Sequence, residues 1–158
     1  MHIEIERKFL VTGNEWRDTP GVRIRQGYLN REPERTVRIR LAGGEAFLTI
    51  KGPSSGAARR EFEYAIPVSH AQELLKMCDG RLIEKMRHRV GVSGLVWEVD
   101  EFLGDNLGLV IAEIELQHEN QAFVRPAWLG REITHDPRYA NANLCVHPFT
   151  SWEQSRQV

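Results

Sequence analysis

Cysteine is nearly absent from this 158-residue chain: only Cys78 and Cys145 occur. Two thiols make no disulfide framework, which excludes a small stapled secreted fold and leads us to expect a reduced, cytoplasmic protein. A single bridge between the two is the lesser alternative. Long apolar runs are also missing. None approaches the roughly 20 residues that a membrane helix needs, so no membrane partner is expected. The opening "MHIEIERKF" reads as a strand rather than a signal peptide. Neither charge dominates, with 21 basic and 22 acidic residues and a net charge of −1. That balance argues against nucleic acid, whose binders carry clustered excess positive charge. The six histidines show no His-x-His ligand spacing. There is no GxGxxG, and Gly52–Gly56 lacks the Gly-Lys-Ser/Thr of a phosphate-binding loop. Repeats and low-complexity stretches are absent too. At 41% hydrophobic content the chain is expected to form one domain, residues 1–158, with a sizeable core.

What the chain does have is charge in alternation. In His2–Val11, Ile3, Ile5, Phe9 and Val11 are apolar, and Glu4, Glu6 and Lys8 lie between them. Strand side chains alternate faces, so these three charges share one face. The pattern recurs. Arg23 and Arg25 flank Ile24, Arg38 and Arg40 flank Ile39, and Lys51 closes the run from Ala46. Arg59, Glu61 and Glu63 share a parity, as do Lys85, Arg87 and Arg89, Glu98 and Asp100, and Glu113 and Glu115. Like charges at i and i+2 stand about 7 Å apart and repel by roughly 2 kcal/mol at an effective dielectric near 20, against about 0.6 in water. A solvated face tolerates that; an enclosed one requires bound cations and polyanions. Two carboxylates and an ammonium in a row suit a divalent cation together with the anion it neutralises.

Strand-like runs cover 2–11, 22–30, 36–41, 46–51, 59–66, 82–90, 95–102 and 109–117. Gly43-Gly44 and Ser93-Gly94 read as hairpin turns, and Gly52–Gly56 reads as a longer loop. One helix is expected over 69–78, capped by Ser69 with Gln72 as its partner, its apolar face formed by Ala71, Leu74, Leu75 and Cys78. A second helical piece is expected after Glu119, ending near Gly130. Tight turns between successive strands imply antiparallel pairing, and eight strands can close into a barrel. Ile3, Ile5, Phe9, Ile24, Val37, Ile39, Phe62, Met86, Trp97, Val99 and Ile114 then face outwards and need cover, for which the helix, Trp128, Leu129 and Phe149 are available. The fold class expected is α+β, mostly β: an eight-stranded antiparallel barrel with a polar, charged lumen and covering helices.

The ExExK start, the Arg-x-Arg strand, the lysine after "LTI", and the segments "REFEY", "EKMR", "WEVD" and "AEIE" together resemble the CYTH family, also called triphosphate tunnel metalloenzymes. The likeness runs from Met1 to the "DPRYANANL" segment. It implies a charged barrel that binds triphosphate and metal ions, either Mg²⁺ or Mn²⁺. It also implies metal ligation by Glu4, Glu6, Glu113 and Glu115 with Glu61 and Glu63 assisting, and a triphosphate-containing small-molecule substrate. Arginine forks and lysine point charges suit phosphate oxygens, which nominates Lys8, Arg38, Arg40, Lys51, Lys85 and Arg87 for binding. Arg23 and Arg25 share the parity but rank lower. Lys51 and Lys85 are the catalytic candidates, the resemblance placing Lys51 near the attacked phosphate and its water. Ala140 and Ala142 of "YANANL" stand where some branches carry a lysine, which leaves the closing of that tunnel end open. The activity expected is metal-dependent hydrolysis of inorganic triphosphate to diphosphate and phosphate. A class IV adenylate cyclase, a thiamine-triphosphatase and a non-catalytic polyphosphate- or nucleotide-binding module are the alternatives. The oligomeric state stays open, a homodimer being one option.

Overall fold

The computed structural model describes residues 2–152; residue 1 and residues 153–158, which the expected domain includes, lie outside them. Nine strands are described: β1 (His2–Val11), β2 (Gly21–Asn30), β3 (Thr36–Ala42), β4 (Glu45–Ser55), β5 (Ala58–Ala65), β6 (Asp79–Val92), β7 (Leu95–Phe102), β8 (Val110–Glu115) and β9 (Leu129–Glu132). They hydrogen-bond in the order β5-β4-β3-β2-β6-β7-β8-β1-β9. The first half of β1 also pairs antiparallel with β5, from His2↔Glu61 to Ile5↔Ala58. That pairing closes β1–β8 into the expected eight-stranded barrel, while β9 lies along the second half of β1. Closure hides most strand edges, while residues 62–65 of β5 run past the β1 pairing and are bonded to β4 alone. The β6–β7 hairpin turns at Ser93-Gly94, whose φ values of +49° and +83° are those of a turn that matches strand twist.

Most of the loop expected at Gly52–Gly56 is instead strand. Pro53 sits where the β4–β5 register shifts between Lys51 and Ser54, a bulge that spares the proline a ladder hydrogen bond. Pairing resumes at Ser54↔Arg59 and Ser55↔Ala58, so only Gly56 and Ala57 turn.

The apolar core lies outside the barrel wall, in the spaces between wall and cover. Helix α1 (Val68–Leu75) lays Ala71 and Leu75 on Ile39 and Ala46. Its N-cap is Pro67, not Ser69, and no side-chain cap bond forms; Ser69 therefore lies inside the first turn, and the expected capping box is absent. The helix expected after Glu119 is also absent: Pro126 lacks the donor that a helix interior needs. The segment instead sets Phe123 edge-on against Phe9 and Trp97, with ring centroids 6.0 and 5.6 Å apart. Trp128 joins the same cluster, 5.8 Å from Trp97. Ile3, expected to be covered, is 51% exposed. Both cysteines are free.

Lumen parity changes character along the barrel. Leu10, Tyr28, Ile83, Phe102 and Ile111 point inwards at one end, where they meet Ile133, Tyr139, Leu144 and Phe149 in one buried cluster. A short helix, α2 (Asn141–Leu144), carries part of that plug. The charged positions lie further along the lumen.

Candidate active site

A cavity of about 250 Å³ lies in the barrel lumen. Eight cationic and seven carboxylate side chains line it, so the lumen is close to neutral and suits a polyanion together with its cation better than a polyanion alone. Strand alternation produces this: each charged pair two residues apart faces in, and the barrel register sets opposite signs beside one another, as in Lys8↔Glu113, Lys51↔Glu61 and Arg87↔Asp100.

The most enclosed part is a network around Asp100. Lys85 and Asp100 are each 1% exposed and stand 2.8 Å apart. Arg87 donates both Nε and Nη2 to the same carboxylate, each at 2.8 Å. Burial favours the neutral acid, yet Lys85 and Arg87 overcome it and hold the Asp100 carboxyl far below the usual carboxylate range. Lys85 moves the other way: burial pushes its ammonium down to about 8 against the pull of Asp100. Arg40 is lowered to about 9 by burial and by the nearby Arg38 and Arg87. Its Nε donates to Gln26 Oε1 at 2.8 Å, Gln26 Nε2 donates to Asn141 Oδ1 at 3.0 Å, and Lys85 Nζ donates to the same oxygen at 3.1 Å. One chain of hydrogen bonds therefore links the cations of β3 and β6 through β2, β7 and α2. Buried ions are tolerated when paired and hydrogen-bonded in this way.

On the facing side the carboxylates gather. Lys51 Nζ donates to both oxygens of Glu4, at 2.9 and 3.1 Å, and stands 3.5 Å from Glu61. Lys8 Nζ lies 4.0 Å from both Glu6 and Glu113. Burial, then Glu113 and Glu4, push the Glu6 carboxyl well above its ordinary value. Glu113 is drawn down to about 2: burial opposes this, but Lys8 and Arg87 prevail. Glu113 thus disfavours ionisation of Glu6 beside Lys8, and Glu4 does the same to Glu61 beside Lys51. Two such carboxylate pairs are places where a hard dication with oxygen ligands fits. The residues therefore fit a divalent cation, although among the described residues no three such groups are gathered around one point.

All of the nominated binding residues line the cavity: Lys8, Arg38, Arg40, Lys51, Lys85 and Arg87. Arg38 Nη2 reaches Thr49 Oγ1 at 3.2 Å, while its buried Nε has no partner. Glu4, Glu6, Glu61 and Glu113 cluster, whereas Glu63 and Glu115 sit nearer solvent, with side chains 42% and 55% exposed. Glu115 there accepts from His2 at 2.9 Å. Arg23 and Arg25 are outside the barrel, 2.8 and 3.5 Å from Glu84. In β2 it is Ile24, Gln26 and Tyr28 that are buried. Sequence reasoning missed Gln26 and Asn141 and gave Asp100 no particular role. The buried glutamine between two arginine-bearing strands was the available signal.

The chain also resembles known proteins. A family model described as "CYTH domain" matches residues 2–144. An inorganic triphosphatase of Acetivibrio thermocellus is 48% identical over 153 residues, covering 96% of this chain and 98% of the relative. A second, from Nitrosomonas europaea, is 37% identical over 147 residues, covering 90% and 97%. A crystal structure of an inorganic triphosphatase superposes with a TM-score of 0.67 at 36% identity, covering 92% of this chain and 96% of that one. A Pyrococcus furiosus protein at 19% identity, TM-score 0.57, covering 74% and 80%, shares the fold. With the family model spanning almost the whole described chain and the lumen charges in place, this protein belongs to the CYTH domain family.

Proposed function

We propose that this chain hydrolyses inorganic triphosphate to diphosphate and phosphate inside its tunnel, with Mg²⁺ or Mn²⁺ as cofactor. The observation that carries the reading is the nearly balanced lining of eight cations and seven carboxylates in an enclosed lumen. Nothing in ordinary core packing calls for it, and buried charge without a partner or ligand is costly. Phosphoryl transfer needs positioning and charge neutralisation more than covalent chemistry. Lys8, Arg38, Arg40, Lys85 and Arg87 hold the phosphate oxygens. Lys51, poised between Glu4 and Glu61, orients the attacking water and releases Glu4 as substrate arrives. Glu4, Glu6, Glu61 and Glu113 hold the cation, with Glu63 and Glu115 assisting from nearer the rim. When bound, the cation neutralises phosphate charge and polarises the attacking water. The tunnel is one domain in a reducing, cytoplasmic setting, consistent with two free thiols. Among the described residues no helix is long and apolar enough to cross a membrane.

The test is a phosphate-release time course on inorganic triphosphate with Mg²⁺, with Mn²⁺ and with a chelator. Phosphate and diphosphate in equal amounts, and only with metal present, are expected. Binding without any turnover in either metal overturns the reading.

A further inference from the structure

The proposed triphosphate reading leaves one lumen residue without a role. Asn141 lies in α2, and its Oδ1 accepts from two donors, Gln26 Nε2 and Lys85 Nζ. Two converging donors fix the amide: oxygen towards the cations, nitrogen away from them. Among the described residues Nδ2 has no hydrogen-bond partner. Asn141 nevertheless lines the cavity and is 9% exposed, flanked in the lining by Ala140 and Ala142. These small neighbours leave the amide unshielded. The segment holding it is firmly placed. Tyr139 and Leu144 are each 1% exposed in the apolar plug, and Arg81 N donates to Cys145 O at 3.0 Å, tying the segment to β6.

We infer that Asn141 is a substrate-binding residue: Nδ2 donates to a non-bridging phosphate oxygen, while Oδ1 positions the Lys85 ammonium for the neighbouring oxygen. A neutral donor suits the place. Lys85, Arg40 and Arg87 already crowd this wall, and a fourth cation would add repulsion, whereas an amide adds a hydrogen bond without charge. The assignment rests on the triphosphate reading, and it gives the C-terminal segment a direct part in recognition as well as in plugging the barrel.

The experiment is calorimetric titration of inorganic triphosphate with Ca²⁺ in place of Mg²⁺, phosphate release being followed so that only intact substrate is scored. It is run on wild type and Asn141→Ala, and on the same pair in a Gln26→Leu/Lys85→Met background, where neither neighbour is left for Asn141 to position. If Asn141 served only to position them, its loss would cost nothing further in that background. The assignment expects Asn141→Ala to weaken binding by at least about tenfold in the natural background, the range of a lost hydrogen bond to a charged group, and by a similar factor in the second. Steady-state KM with Mg²⁺ rises in parallel, with a smaller change in kcat. Wild-type affinity in Asn141→Ala, or no further loss in the second background, overturns the assignment; where that background fails to fold, Lys85→Met alone replaces it. Wild type that binds triphosphate but does not hydrolyse it with Mg²⁺ fails the functional reading, and the affinities still decide Asn141. Wild type that does not bind overturns both.

Discussion

Asp100 is the residue whose loss is most consequential. Replacing it with Asn keeps its shape and removes its charge. Lys85 Nζ at 2.8 Å and the Arg87 fork at 2.8 Å then lose a fully buried anion. The Lys85–Asp100 attraction at that separation is about 6 kcal/mol at an effective dielectric near 20. One pKa unit corresponds to about 1.4 kcal/mol. Even a fraction of that attraction moves Lys85, already lowered to about 8, below 7. The variant should therefore carry a neutral Lys85 at neutral pH and lose a phosphate-binding charge. Breaking a buried pair costs about 3–5 kcal/mol, a large share of the roughly 5–15 that a domain possesses. At a urea slope near 2 kcal/mol/M, the midpoint should fall by about 2 M. Urea unfolding at pH 7, with triphosphate affinity measured alongside, checks this. A midpoint within about 0.3 M of wild type, a difference under about 0.6 kcal/mol, together with unchanged affinity, would refute the reasoning.

Glu6→Gln should act in the opposite sense on stability. Burial, Glu113 and Glu4 raise the Glu6 carboxyl, so its ionisation costs stability as pH rises above the ordinary value of 4.5. A neutral amide removes that cost, so the metal-free variant should melt higher at pH 7 while kcat/KM with Mg²⁺ falls at least about tenfold; a lower melting temperature with full activity would sink the assignment. Asp100 and Glu113 are depressed, so their stabilisation is present above the unfolded carboxylate range and lost as pH falls towards 2 and below; an acid titration of unfolding should show that loss, and Asp100→Asn should blunt it. The pH profile of kcat/KM should fall above about 8, where the free enzyme's Lys85 loses its proton. The kcat limb should lie higher, because bound polyanion favours the ammonium. Lys85→Arg should move the kcat/KM limb; a profile unmoved by it contradicts the role.

Most strands and much of the site were legible because alternation is a local property. Glu4, Glu6 and Lys8 share a face whichever strand stands beside them, and the repeated i, i+2 charges marked a lumen before any pairing was known. What was not legible depends on tertiary choice. In β2 the alternation pointed the wrong way: Arg23 and Arg25 alternate with Ile24, as charged lumen residues do elsewhere, yet Ile24 shares the buried parity with Gln26 and Tyr28. Only pairing with β6 decides it, by placing Glu84 outside to receive both arginines and Gln26 inside against Arg40. The proline at 53 suggested a loop, but a bulge accommodates it. Asn141 lies 115 residues from Gln26, so nothing local to "YANANL" shows that its amide meets Lys85. Spacing alone did not divide the carboxylates either; the family resemblance did, and it put Glu115 among the ligands, whereas its side chain is 55% exposed. Register separates Asp100, behind two cations, from Glu4, Glu6, Glu61 and Glu113, which face one another.

The central claim is that the charged lumen acts on triphosphate itself, and one comparison tests it most directly. It is kcat/KM for inorganic triphosphate against ATP at one Mg²⁺ concentration, with all products identified. The phosphate-binding groups come from strands all round the barrel, and hydrolysis demands no in-line ribose hydroxyl, as cyclisation would. We expect inorganic triphosphate to be the faster substrate, giving diphosphate and phosphate, with no cyclic nucleotide from ATP. Faster turnover of ATP, or cyclic AMP as its main product, would contradict the account.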